Sequence, residues 1–261
     1  MDIKHSLKKE GGYAQGNHLA NLHVNMSNIL IKAAHGLTLN EKRIMACCIA
    51  QLDSIRIGKR PGFDQMRVKL TALDFAETYE VDTKIAYRDI ITASDKLFQR
   101  YIRVISNTPK GPKEEKFHWV SGVIYHHGEG WVELGFSPEV TPHLTLLRSE
   151  YTSYKLRTTA ALRSTYSWRL YELFTSVWDK RKNPSFMKGS LFIKLDDFRR
   201  AMDVPESYRW HNIRQRSIEP AIRELSNTHN LKIEWKPVKK GRSVSSLVFD
   251  FKENNQKKLD L

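Results

Sequence analysis

Cysteine is nearly absent from this chain. Its two cysteines, Cys47 and Cys48, are adjacent inside an apolar helical run. That arrangement gives neither a metal-ligand spacing nor a disulfide framework, and it fits a reducing compartment. Long apolar runs are missing too. No segment approaches the roughly 18 consecutive apolar residues of a membrane span. The first residues lack an apolar signal core. Residues 1–20, MDIKHSLKKEGGYAQGNHLA, are expected to form a loose polar arm, and residues 252–261 a loose tail. A cytoplasmic protein is the expectation. There is no G-x-x-x-x-G-K-[ST] run, so ATP-driven work has no visible seat. Metal-dependent DNA nicking needs histidines separated by one residue and a nucleophilic tyrosine. Here His126 and His127 are adjacent, pointing to opposite faces of a strand. With Tyr151 or Tyr154 they make a poor site. No catalytic residue, metal ligand or cofactor is expected.

Acidic residues are also scarce. Lys and Arg number 43 against 29 Asp and Glu, a net charge of +14. Such an excess favours polyanionic partners. Its distribution is uneven: residues 1–147 hold 19 basic against 16 acidic residues, and residues 148–261 hold 24 against 13. The second half carries the field.

What the chain does have is core material. Apolar residues make up 40%, including 11 Phe, 10 Tyr and 6 Trp. A length of 261 residues suits one large or two small domains. The sequence supports two, because it repeats itself. MRVKLTALDFAETYEV (residues 66–81) and LFIKLDDFRRAMDV (191–204) each read as a short alternating strand, a polar cap, a short helix with a buried aromatic, then valine. Phe75 matches Phe198, and Val81 matches Val204. Before the first unit lies an apolar helix, TLNEKRIMACCIAQLDSI, capped near Thr38 or Asn40. Before the second lies the amphipathic STYSWRLYELFTSVW. After them come TKIAYRDIITASDKLFQR with the strand YIRVI, and YRWHNIRQRSIEPAIRELSN with the strand LKIEW.

Each half therefore reads helix, strand, helix, helix, strand, strand, the order of a winged helix. The expected fold is α+β with two tandem winged-helix domains, at 21–147 and 148–251. SPEVTPHLTLL (137–147) is expected to be a helix closing the first domain, with Pro138 in its first turn. TSYKLRTTAAL is expected to begin the helical part of the second. Thr108–Lys116 reads as an exposed hairpin tip.

In the second domain, YRWHNIRQRSIEPAIRELSN takes the position that enters a DNA major groove. At 3.6 residues per turn, Ile218, Ile222 and Leu225 share a face with Trp210 and Ser217, while Arg209, Asn212, Arg216 and Arg223 lie opposite. Arginine can bind guanine through two acceptors and asparagine can pair with adenine, so these four are the candidate base readers. Arg214 phases toward the apolar side without an assigned role. Pro220 should distort the helix. The following hairpin, IEWKPVKKGRSVSSLVF, carries Lys236, Lys239, Lys240 and Arg242 around Gly241. These, with Arg199, Arg200, Arg157 and Arg163, are candidate phosphate contacts. Arg169 lies within an apolar helix and is a candidate ion-pair partner of Glu172 or Asp196. The first domain's equivalent helix has Lys84, Arg88, Lys96 and Arg100 balanced by Asp82, Asp89 and Asp95. It is expected to make a secondary DNA contact or a protein contact, and its hairpin edges could pair with another copy.

With these elements placed, residues 22–251 resemble the iteron-binding plasmid replication initiators. The likeness is carried by LHVNMSNILIKAAHGLTLNEKRIMACCIAQL, by STYSWRLYELF, and by IRQRSIEPAIRELSNTHNLKIEWKPVKKGRSVSSLVFDF. The resemblance implies monomers that bind direct repeats of double-stranded DNA at an origin. It implies dimers, joined through the first domain, that bind an operator inverted repeat and repress their own gene. It also implies recruitment of host replication proteins and no catalytic site. A winged-helix repressor without an initiator role is the main alternative, and a metal-dependent nicking initiator a weaker one.

Overall fold

The computed structural model describes residues 18–52 and 66–254. Most of the expected arm and most of the expected tail lie outside the described residues. The first unit runs α1 (His18–Asn21), β1 (His23–Ser27), α2 (Asn28–Lys32), α3 (Leu39–Gln51), β2 (Arg67–Thr71), α4 (Ala72–Tyr79) and α5 (Thr83–Leu97). It continues through four strands: β3 (Tyr101–Thr108), β4 (Gly111–His118), β5 (Val120–His126) and β6 (Trp131–Phe136). Then come β7 (Tyr151–Lys155), α6 (Leu156–Ala160), α7 (Thr165–Val177), β8 (Lys188–Lys194) and α8 (Leu195–Ala201). A helical run follows, made of α9 (Trp210–Ile213), a π-helical segment (Arg214–Ile218) and α10 (Glu219–His229). The wing strands β9 (Leu231–Lys240) and β10 (Ser243–Glu253) complete the chain. Lys252 and Glu253, expected in the tail, belong to β10 and pair with Lys232 and Leu231.

The repeat holds in three dimensions. Each unit has an antiparallel three-stranded sheet, ordered β2-β6-β5 in the first and β8-β10-β9 in the second. Phe75 and Phe198 are both fully buried. Helices α4 and α8 end in the same left-handed turn. Glu80 and Asp203 sit at φ 52° and 50°, and the next amide bonds back five residues, Val81 to Ala76 and Val204 to Arg199. That bond satisfies a carbonyl which the helix end would otherwise leave without a partner.

The sheet order corrects one correspondence. Strand β9 matches β5, not the YIRVI strand β3. Strands β3 and β4 form a separate two-stranded hairpin between α5 and the wing. Alternation identifies a strand but not its partner. Two further expectations change. The 137–147 segment forms a turn and a short 3₁₀ helix at Thr141–His143, with Pro142 rather than Pro138 in the helix. TSYK belongs to strand β7, which pairs with β1 from His23↔Lys155 to Ser27↔Tyr151, and the expected helix starts only at Leu156. The expected division at 147/148 is therefore crossed by a sheet.

Helices α3 and α7 join the two units. Thr38 caps α3 in a reciprocal capping box with Glu41. Nearly all of α3 is buried, charged residues included, and Glu41 and Lys42 are both ion-paired. Glu41 binds Arg100 through both oxygens at 3.0 and 3.1 Å. Lys42 Nζ donates to both oxygens of Glu172 at 2.9 Å. Arg169 on α7 is 3% exposed. It donates to the carbonyls of Ile31, Ala33 and Ala201, to Glu172 and to Nδ1 of His35. Of its two candidate partners, Glu172 is the one bound. The carbonyls lie on α2, just after it and on α8, so one side chain ties three parts of the chain to α7. His35 Nε2 donates to Leu30 O at 2.7 Å, which leaves Nδ1 to accept from Arg169. Burial holds this imidazole well below its ordinary pKa and brings Lys42 down to about 8.

Candidate nucleic-acid interface

The interface is built on α8, the turn 202–209 and the helical run 210–229. Ile213, Ser217, Ile218, Ala221 and Leu225 are buried, and Arg209, Arg214, Gln215, Arg216 and Arg223 are exposed, with Asn212 half-buried. The π-helical turn explains the three consecutive exposed residues. Pro220 has no N–H and its ring would crowd the carbonyl four residues back, at Arg216. The helix widens there, and the Glu219 amide reaches Arg214 O. Adding a residue to one turn is a common answer to such a clash. As a result Arg214 leaves the apolar side and pairs with Glu219 at 2.6 Å, and Gln215 joins the exposed face. Sequence periodicity passed over Gln215 because a uniform 3.6-residue repeat cannot anticipate a widened turn. Pro220 was the available signal.

The wing stands beside this helix. Strands β9 and β10 turn at Gly241, whose φ of +63° favours glycine. Lys236, Lys239, Lys240 and Arg242 are all exposed on this hairpin. Trp235 on β9 meets Trp210 at the helix start, ring centroids 6.2 Å apart, and also Phe249 at 6.2 Å. These rings fix the wing to the helix. On the opposite edge strand, Gly189 is required because a Cβ there would come within 2.8 Å of the Phe251 ring.

Not every candidate cation faces outward. Arg199 donates to the carbonyls of Tyr208, Pro205 and Glu206 at 2.7, 3.1 and 3.0 Å. Its fork clasps the turn between the two helices rather than standing free for phosphate. Arg200 pairs with Asp197. Arg157 is exposed, donates to Asn21, and with Arg163 lines a cleft of about 460 Å3 that also holds Glu77 and Glu80. In the first unit Lys84, Arg88 and Lys96 are exposed, and Arg88 lies 3.4 Å from Asp89. Arg100 is committed to buried Glu41 and serves the fold. His126 stacks on Trp131 and His127 on Tyr125. Among the described residues no group of three or more His, Cys, Asp or Glu is placed to hold a metal ion.

Residues 23–175 match the family Initiator Replication protein, WH1, and residues 194–251 match Initiator Rep protein, WH2. The chain belongs to the initiator replication protein family. Its two tandem winged-helix domains are those of that family, and the first matched segment runs through β7 into α7. A replication initiation protein of Escherichia coli is 24% identical over 239 residues, covering 91% of this chain and 72% of that protein. The PI protein of Escherichia coli is 24% identical over 245 residues, covering 82% and 77%. The crystal structure of Pi initiator protein in complex with iteron DNA superposes with a TM-score of 0.71 at 20% identity, covering 90% of this chain and 99% of that one. Among the described residues no helix is long and apolar enough to cross a membrane.

Proposed function

We propose that this initiator binds repeated double-stranded DNA at a plasmid origin, sequence-specifically and without catalysis. The carrying observation is the second unit's exposed face: the Arg209–Arg216 stretch and the Lys239–Arg242 wing tip, locked together by Trp210 and Trp235. Arg209, Asn212, Arg216 and Arg223, with Gln215 added, read base edges. Lys236, Lys239, Lys240 and Arg242 meet phosphate and supply affinity rather than choice. The first unit adds a weaker contact through Lys84, Arg88 and Lys96. The iteron DNA in the solved complex of the similar Pi initiator supports this reading.

The monomer binds direct repeats, and a dimer joined through the first unit binds an inverted repeat and represses the chain's own gene. Strand β5 is an edge of the first unit's sheet, with Ile124 46% exposed, and an uncovered edge invites pairing with a second copy. Host replication proteins have a surface in the cleft of about 840 Å3 between hairpin β3–β4 and β8, where Phe192 and Ile29 are exposed. Duplex selection from a random library at about 0.15 M salt tests the reading, since affinities depend on the salt. Enrichment of a motif that recurs as direct repeats beside the gene supports an initiator. A single inverted repeat there supports a repressor alone.

A further inference from the structure

Two arginines flank Gln215 on the widened turn, and they are held differently. Arg214 donates to the Glu219 carboxylate at 2.6 Å, so its charge is offset by a neighbour. Arg216 lies over the ring of Tyr208, its guanidinium carbon 5.5 Å from the centroid. That is within the range of a cation–π contact. An aromatic face restrains a guanidinium without using its N–H donors, which leaves its fork open to a bidentate acceptor pair such as that of guanine. Tyr208 lies before the helix, in the turn that Arg199 clasps. Arg199 Nη1 binds the Tyr208 carbonyl itself, and Nη2 binds those of Pro205 and Glu206. The Tyr208 amide closes the same turn onto Pro205 O at 3.0 Å. Helix α8, the turn and the reading side chain thus form one connected chain of contacts.

We propose that Tyr208 is a positioning residue for base reading: its ring holds the Arg216 guanidinium in place, and Arg199 fixes the ring by clasping the turn that carries it. The proposal rests on the base-reading role given above to Arg216. Arg199, a basic residue on the first helix of the pair, acts here through the backbone and not through phosphate.

The test uses the full chain and two duplexes, the sequence enriched from a random library and a scrambled duplex of equal length. Tyr208→Leu should lower the ratio of the two affinities roughly two- to fivefold, the span of an exposed cation–π contact. Scrambled-duplex affinity and salt dependence should not change, because the arginine charge remains. Tyr208→Phe and Tyr208→Trp keep a ring face and should keep the ratio. In an Arg216→Ala background, Tyr208→Leu should add no further loss, the non-additivity expected of a contacting pair. An unchanged ratio in Tyr208→Leu would overturn the proposal. So would loss in Tyr208→Phe, or an equal loss on both duplexes. If Arg216→Ala leaves the ratio intact, the base-reading role itself fails. If only Arg216→Ala lowers it, the positioning role alone fails. Should Tyr208→Leu melt far below the parent, Tyr208→Trp decides: a retained ratio supports the ring, and a lost ratio overturns it.

Discussion

The two winged helices differ at the residue that caps the start of their second helices. In the first unit Asp82 caps α5, its carboxylate accepting from the amides of Lys84 and Ile85. In the second unit Arg209 takes the equivalent position, with no side-chain hydrogen bond to the helix amides. The start of such a helix is the end that approaches a duplex, and its free amides attract anions. Asp82 satisfies those amides and adds negative charge. Arg209 leaves them open and adds positive charge. The same fold thus carries opposite helix starts: α5 is capped by a carboxylate, and the 210–229 run begins at an arginine without a side-chain cap. The charge imbalance between the halves of the sequence has the same sense at this single position.

That comparison can be broken or sharpened. The largest effect belongs to the junction. Arg169→Ala leaves Glu172 with one fewer partner and strips donors from three buried carbonyls, and should cost about 3–5 kcal/mol of stability, read by denaturant unfolding. A loss confined to one unit's probes would mean that α7 does not bind the two together. Next is the field. Lys239→Ala, Lys240→Ala and Arg242→Ala combined should lower the slope of log affinity against log salt by roughly three. Lys84→Ala, Arg88→Ala and Lys96→Ala combined should lower it by less. Equal changes would erase the difference between the units.

Smaller effects separate reading from folding. Arg216→Ala should cost about 1–3 kcal/mol of discrimination at one or two base positions, measured by binding to single-base variants of the selected site. Arg100→Ala, in the first unit, should lower the melting temperature and leave base preference unchanged, because it removes the guanidinium that pairs with buried Glu41. A last test uses pH. Burial lowers the pKa of His35, and also of His23, His143 and His229. The unfolded chain then takes up protons near pH 6.5 that the folded chain refuses. This part of the stability is complete above pH 6.5 and is lost as pH falls below it. The melting temperature should drop from pH 7 to pH 5. His35→Gln should melt lower at pH 7 but decline less steeply.

Much of this architecture was legible in the residues. The paired motifs ending in Val81 and Val204 located both helix-turn-helix units, because buried aromatics and strand alternation are local signals. The second unit's basic helix and wing followed from spacing alone. Three features were hidden. The YIRVI strand, β3, looked like the counterpart of LKIEW because any alternating strand does, and only hydrogen-bond partners tell them apart. TSYK was read as the start of a helical part, although Thr152 and Tyr154 alternate inward as strand residues do and the helix begins at Leu156. Arg199 and Arg100 looked like surface cations, but their partners are carbonyls of a turn and a carboxylate 59 residues away. Pro220 signalled a distorted helix without revealing that the distortion would expose Gln215.

The most direct measurement is selection of duplexes from a random library by the full chain and by its Arg216→Ala variant, side by side at about 0.15 M salt. The parent should enrich one motif longer than a helical turn, with its strongest positions clustered at one end and weakened in the variant. No enrichment, or an identical motif from both proteins, would contradict the claim that the second unit does the reading.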